Sequence, residues 1–137
     1  MSLNKHRILY TEDHVDTQEL VSFILNRLDY EVVITPNSVD ALRLAQAERF
    51  DLYMLDTRLT DGSGVDLCRR IREFDTATPI LFYSANALDS EKKMAMESGA
   101  QGYLTKPATP GELSGAISKL VARSRAASST NEGAARS

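Results

Sequence analysis

The stretch YMLDTRLTDGSG, residues 53–64, begins as an apolar strand and changes character at a single carboxylate. Residues 53–55 are apolar, which is typical of a short buried strand, and Asp56 follows them directly. Residues 57–64 are rich in Thr, Asp, Gly and Ser, which favour turns. Asp56 therefore either caps a turn or is a reactive group held at the edge of a hydrophobic core.

The composition is that of a soluble globular domain. The 137 residues are 42% hydrophobic and 26% charged, and this length suits one domain. The net charge is −3 and no cluster of Lys and Arg is present, so we expect no nucleic-acid partner. Cys68 is the only cysteine, which excludes an internal disulfide and fits a reducing cytosol. No apolar run approaches the length of a membrane span, so we expect no membrane partner and a cytoplasmic location.

Short apolar runs alternate with segments of helical periodicity along the chain. The five predicted strands are residues 7–10, 31–35, 52–55, 79–83 and 102–104. A helical pattern follows each strand, and Ser38 is the predicted cap of the second helix. Five strands alternating with five helices predict an α/β fold of the doubly wound (βα)5 type. This is a flavodoxin-like five-stranded parallel sheet with helices on both faces.

Polar side chains follow four of the five predicted strands. They are Glu12 and Asp13 after the first strand, Asp56 after the third, Ser84 after the fourth and Lys106 after the fifth. Because the carboxyl ends of parallel strands meet at one edge of the sheet, we expect these side chains to converge. Three carboxylates at close range repel one another, and a hard dication such as Mg²⁺ would remove that conflict.

The chemistry of this group of residues points to phosphoryl transfer. Asp13 and Asp56 could bind Mg²⁺ directly, and Glu12 could act through a water molecule. Lys106 adds a positive charge and Ser84 a hydroxyl, so a group bound among them should be anionic and tetrahedral, as a phosphoryl group is. A carboxylate can act as the nucleophile and form an aspartyl phosphate. Such a transfer requires mostly positioning and charge neutralisation from the protein.

These residues resemble the receiver domain of two-component response regulators, of the chemotaxis-regulator type. The resemblance rests on Glu12-Asp13, the stretch at 53–64, YSA at 83–85 and YLTKP at 103–107, and it covers roughly residues 5–122. It implies a domain that accepts a phosphoryl group in phosphorelay signal transduction and is not a conventional enzyme. The donor would be a histidine kinase or a histidine phosphotransfer protein, and Mg²⁺ would be the cofactor.

The resemblance also implies a role for each site residue. Asp56 would be the phosphoacceptor, and Lys106 and Ser84 would be its catalytic partners. The ligands of Mg²⁺ would be Glu12, Asp13, Asp56 and the backbone carbonyl of Arg58. The groups that contact the phosphoryl oxygens would be the backbone N–H groups of Thr57 and Ala85 and the side chains of Ser84 and Lys106.

A conformational switch is implied as well. Ser84 would move toward the phosphoryl group and Tyr103 would turn inward. This change would alter the surface of the fourth helix, fifth strand and fifth helix, where an unknown downstream protein would dock. The Lys106–Pro107 bond would be cis.

The sequence departs from the family pattern in the loop after Asp56. Thr60 stands where the family often has a proline, so this loop is expected to be less rigid. Arg58 and Asn86 occupy variable positions beside the site, where the family tunes the lifetime of the acyl phosphate.

We expect the receiver domain to occupy residues 1–122. Residues 123–137 lack an apolar period and are expected to form a disordered tail or linker. Two other functions remain open. One is a receiver-like interaction module that is never phosphorylated. The other is a phosphatase of the haloacid-dehalogenase type, a family that needs a second aspartate where this chain has Arg58.

Overall fold

The protein folds as five strands alternating with five helices, as the sequence predicts. The computed structural model describes residues 5–136, with side chains described through residue 124. The elements in chain order are β1 (Arg7–Thr11), α1 (Val15–Arg27), β2 (Glu31–Thr35), α2 (Ser38–Ala47), β3 (Leu52–Leu55), α3 (Gly64–Arg72), β4 (Ile80–Ser84), α4 (Asp89–Glu97), β5 (Gly102–Thr105) and α5 (Pro110–Arg136). A two-stranded hairpin, Arg58–Leu59 with Gly62–Ser63, lies between β3 and α3 and was not predicted.

The five strands form one parallel sheet in the order β2-β1-β3-β4-β5. Leu9 of β1 is in register with Val33 of β2 and with Tyr53 of β3. The chain therefore winds outward in both directions from β1 and β3, which confirms the doubly wound fold. In such sheets a crevice opens beyond the carboxyl ends of the strands where the winding reverses.

Two hydrophobic clusters cover the two faces of the sheet. Alternate residues of β3 point to opposite faces, because side chains alternate along a strand. Tyr53 and Leu55 pack with residues of α2, α3 and α4, whereas Leu52 and Met54 pack with residues of α1 and α5. All four residues of β3 are buried, and Asp56 is the first residue after this central strand, at the edge of the hydrophobic core.

The cap of α2 differs from the prediction by one residue. Asn37, not Ser38, is the N-cap, and its side-chain oxygen accepts a hydrogen bond of 2.8 Å from the amide of Asp40. Ser38 is the first helical residue, and its amide donates to the carboxylate of Asp61 at 2.9 Å. Asparagine is as good a cap as serine, and the residue types alone do not separate the two.

The last helix also differs from the sequence prediction. α5 continues to Arg136, where a disordered tail was expected from residue 123. Residues 123–136 contain no proline and are rich in alanine and arginine, which are strong helix formers. Residue 137 of the predicted tail lies outside the described residues, and the domain limit at residue 122 stays a prediction. Across residues 5–136, no helix combines the length and the apolar character required to cross a bilayer.

Candidate functional site

Backbone hydrogen bonds between adjacent strands place the predicted site residues at one edge of the sheet. The amide of Asp56, just after β3, donates to the carbonyl of Thr11 at 3.2 Å. The amide of Lys106, just after β5, donates to the carbonyl of Ser84 at 2.9 Å. The convergence expected from the sequence is therefore present in the structure.

Lys106 joins two of the three carboxylates. Its ammonium contacts Oε1 of Glu12 and lies 2.9 Å from Oδ2 of Asp56. Glu12 is fully buried and also accepts a hydrogen bond of 3.0 Å from the hydroxyl of Tyr10. Burial acts to raise the pKa of Glu12, but hydrogen bonds from Lys106 and from the His14 amide lower the pKa to about 2. Burial also opposes the charge of Lys106, yet the two carboxylates raise its pKa overall.

Asp13 presents an oxygen that no donor of the described residues satisfies. Among the described side chains, Asp13 Oδ1 is the one buried oxygen or nitrogen without a hydrogen bond. It lies 3.1 Å from Nδ1 of His14, an ion-pair distance without hydrogen-bond geometry. Buried polar atoms rarely stay unsatisfied, and a carboxylate oxygen is the ligand that Mg²⁺ prefers. The residues of the site therefore fit a bound Mg²⁺.

His14, the residue directly after the acidic pair, contacts both of its carboxylates. Its side chain is 75% exposed, but Nδ1 lies 3.1 Å from both Glu12 Oε2 and Asp13 Oδ1. The hydrogen bond to Glu12 and the charge of Asp13 raise the pKa of His14. Its position directly after the acidic pair is the only sequence signal of this contact.

Ser84 is held by two hydrogen bonds in this structure. Its Oγ lies 2.7 Å from Oγ1 of Thr57 and accepts a bond of 3.1 Å from the amide of Asn86. The Thr57 hydroxyl was missed, because the sequence assigned a role only to the backbone of that residue. The amide of Arg58 points back to the acceptor carboxylate and donates to Asp56 Oδ1 at 3.3 Å.

Tyr103 is linked to Ser84 through one intervening residue. Its half-buried ring stacks on Phe82, with centroids 6.0 Å apart and an interplanar angle of 16°. Its hydroxyl donates to the carbonyl of Asn86 at 2.6 Å, and Asn86 in turn donates to Ser84. The Lys106–Pro107 bond is cis, as predicted.

An open pocket of about 400 Å³ lies over these groups. It is lined by Asp13, His14, Asp56, Thr57, Arg58, Ser84, Ala85, Asn86, Leu88 and Lys106. Glu12 lies in contact with Lys106 beneath this lining. Three carboxylates, those of Glu12, Asp13 and Asp56, face the single ammonium of Lys106 here, and a bound dication would offset the excess of acidic groups.

Close packing of α3 against the acceptor strand leads to the first prediction. A Cβ built on Gly64 would lie 1.9 Å from the carbonyl oxygen of Asp56. Gly64→Ala should therefore displace Asp56 or α3, and should lower the free energy of unfolding by about 2–4 kcal/mol. Urea denaturation would measure this loss.

Gly115→Ala is the matched control, because a Cβ at Gly115 would have no neighbour within 4 Å in the part of the chain that the structure describes. We expect this change to be neutral or to stabilise α5 by up to about 1 kcal/mol. If Gly64→Ala were as stable as the wild type, this result would contradict the close contact between Gly64 and the backbone of Asp56.

Comparison with known protein families and sequences gives one consistent result. The family model of the response regulator receiver domain matches residues 8–118. The alkaline phosphatase synthesis transcriptional regulatory protein PhoP of Bacillus subtilis is 31% identical over 130 residues, which cover 95% of this chain and 54% of PhoP. The transcriptional regulatory protein CseB of Streptomyces coelicolor is 35% identical over 119 residues, or 87% of this chain and 47% of CseB. The chain thus spans about half the length of these curated relatives.

Solved structures show the same fold. A CheY-like response regulator receiver domain protein from Methanospirillum hungatei aligns with a TM-score of 0.85 at 23% identity, covering 89% of this chain and 98% of that one. The receiver domain of the sensor histidine kinase PA1611 from Pseudomonas aeruginosa aligns with a TM-score of 0.81 at 28% identity. That alignment covers 86% of this chain and 98% of the other, which holds a magnesium ion in its active site cleft.

Proposed function

We infer that this chain, which belongs to the response regulator receiver domain family, accepts a phosphoryl group on Asp56. Accepting phosphoryl groups in two-component signalling is the standard role of this family. The observation that carries the assignment to Asp56 is the ammonium of Lys106, which lies 2.9 Å from Oδ2 of this carboxylate at the mouth of the pocket. We propose residues 1–122 as the receiver domain, a range that contains the family match.

We propose that Mg²⁺ is held by Glu12, Asp13, Asp56 and the backbone carbonyl of Arg58. Bound there, it would neutralise the carboxylates and the charge of the incoming phosphoryl group. Two observations support this proposal. Asp13 Oδ1 is buried without a hydrogen bond among the described residues, and the related PA1611 receiver domain holds magnesium in its active site cleft.

The transfer would require small movements of the residues that surround Asp56. A carboxylate oxygen of Asp56 attacks phosphorus and the bond from phosphorus to the donor breaks, with its electron pair leaving on the donor. Lys106 would keep its contact with Asp56 and pair with a phosphoryl oxygen. The amides of Thr57 and Ala85 would donate to the other oxygens. Ser84 would exchange its bond with the Thr57 hydroxyl for one to the phosphoryl group.

The same movement would carry the signal. When Ser84 leaves its present position, the Asn86 amide loses its acceptor, and the Asn86 carbonyl is the group that holds the Tyr103 hydroxyl. Tyr103 would then turn inward and alter the α4-β5-α5 surface for a downstream protein. A shift from mostly inactive to mostly active needs roughly 3–5 kcal/mol of differential interaction. Two charge-assisted hydrogen bonds to the phosphoryl group are of that order.

The proposed donor is a histidine kinase or a histidine phosphotransfer protein, in the cytoplasm. Small donors such as acetyl phosphate would also serve, and slow autodephosphorylation would return the domain to its resting state. An interaction module that is never phosphorylated would gain no mass from such a donor. A phosphatase of the haloacid-dehalogenase type would release phosphate over many turnovers, whereas a receiver stops after one phosphoryl group per chain.

Loss of Asp13 should weaken metal binding most directly. Asp13→Asn removes the charge and one carboxylate oxygen of a proposed direct ligand, so we expect Mg²⁺ binding to weaken by at least about 10-fold. Isothermal titration with MgCl₂ would measure the dissociation constant. Asp16→Asn is the control, because it removes the same charge from a position on α1 outside the pocket. Equal affinities in wild type and Asp13→Asn would remove Asp13 from the ligand set.

A further inference from the structure

The loop between β3 and α3 carries two of the groups assigned to the site. This acceptor loop, residues 57–63, begins with Thr57 and Arg58, folds back as the short hairpin, and ends at Ser63, the N-cap of α3. Its inner end is held by a bond of 2.9 Å from the amide of Gly64 to the carbonyl of Thr57. Its proposed functions depend on backbone atoms, so the path of the loop decides where those atoms lie.

The outer end of the acceptor loop is fixed to α2 by Asp61. One carboxylate oxygen accepts from the amide of Ser38 at 2.9 Å, and the other lies 3.1 Å from the same amide and 3.2 Å from that of Val39. Desolvation opposes the charge of this exposed carboxylate, but the bonds from Ser38 and Val39 lower the pKa of Asp61 overall. A carboxylate is well suited to this place, because the first amides of a helix have no partner within the helix and carry partial positive charge.

Two further features make the contact specific to the loop. Asp61 reaches α2 across 23 positions of sequence, so it connects two elements and is not a local cap. α2 already has its own cap in Asn37. In addition, Gly62 with φ of 148° allows the chain to turn back.

We propose that Asp61 is a positioning residue that fixes the acceptor loop against α2 and so sets the position of the Arg58 carbonyl and the Thr57 amide. This role rests on the proposed function of the site. Leu59 is buried in the core cluster on this face of the sheet, so the loop is held by an apolar anchor in the core and, at its outer end, by Asp61. Without the Asp61 carboxylate, the loop would keep the buried Leu59 side chain but lose its hydrogen bonds to the first turn of α2.

The test compares Asp61→Ala, Asp61→Asn and Asn37→Ala by Mg²⁺ titration and by urea denaturation of the same samples. Asp61→Ala and Asn37→Ala each remove one side-chain acceptor from the first amides of α2, so both should lower the urea midpoint. Only Asp61→Ala frees the loop, and it should weaken Mg²⁺ binding by about 10-fold. Asn37→Ala should leave the affinity within about 2-fold of wild type. Asp61→Asn loses the charge but keeps an acceptor oxygen, so its affinity should fall between those of wild type and Asp61→Ala.

The outcomes separate this role from the proposed function. If the wild type binds Mg²⁺ and Asp61→Ala binds it equally well, the positioning role is overturned and the proposed function stands. If Asn37→Ala weakens binding as much as Asp61→Ala, the effect comes from the stability of α2 and the role of Asp61 is again overturned. A wild type that binds no Mg²⁺ would overturn the proposed metal site itself, and the role of Asp61 with it.

Discussion

Asp56→Asn is expected to abolish uptake of a phosphoryl group. The wild type treated with acetyl phosphate and Mg²⁺ should gain the mass of one phosphoryl group, measured on the intact protein. An amide is not a nucleophile of comparable strength, and the substituted side chain would also lack the charge that pairs with Lys106. Uptake should therefore fall by at least about 100-fold.

The control for this experiment is Asp66→Asn, which removes a carboxylate from an exposed position in the first turn of α3. This variant should gain the same mass as the wild type. A full mass gain in Asp56→Asn would show that the phosphoryl group resides on another residue, and the assignment of the acceptor would be wrong.

Lys106→Met should affect both chemistry and stability. The variant would lose the cation that contacts Glu12 and Asp56, so phosphoryl uptake should fall strongly. It would also deprive the fully buried Glu12 of its contact with the Lys106 ammonium, at a cost of about 3 kcal/mol in the free energy of unfolding near neutral pH. Lys119→Met, an exposed change on α5, should alter neither property.

The stability loss in Lys106→Met should depend on pH in a defined direction. In the wild type the pKa of Glu12 is lowered to about 2 from an ordinary value of 4.5. Ionised Glu12 therefore stabilises the fold above about pH 4.5, and this contribution is lost as the pH falls toward 2. Without Lys106, burial should raise the pKa of Glu12. Protonation of Glu12 would then remove the buried charge that destabilises the variant.

The difference in stability between wild type and Lys106→Met should thus be largest near neutral pH and should shrink as the pH falls from about 5 to 2. Urea denaturation in the presence of EDTA at several pH values would measure it. A difference that stays constant over this range would contradict the pairing of Lys106 with an ionised Glu12.

The edge of the sheet at which the site residues lie could be predicted from the sequence, because it depends only on the strands being parallel. Once 53–55 and 102–104 are taken as parallel strands of one sheet, Asp56 and Lys106 must lie at the same edge. Sheet geometry requires this whatever the side chains do. The strand order that places them two strands apart was not predicted. The cis bond before Pro107 was implied only by the resemblance to receivers.

Contacts made by individual side chains could not be predicted in the same way. The bond between Thr57 and Ser84 and the reach of Asp61 to α2 join residues 27 and 23 positions apart, and they depend on rotamers and loop paths that no periodicity records. The helical form of residues 123–136 was missed for another reason. Hydrophobic periodicity in a sequence detects helices that bury one apolar face. Residues 123–136 favour a helix by their composition but lack an apolar periodic pattern.

The location of the phosphoryl group in the wild-type protein tests the central claim most directly. After treatment with acetyl phosphate, hydroxylamine would convert an acyl phosphate to a hydroxamate, and peptide mass spectrometry would identify the modified residue. We predict modification of Asp56 alone, in samples that contain Mg²⁺ and not in samples that contain EDTA. Modification of a different residue, or equal modification of Asp56 without any divalent cation, would contradict the proposed site.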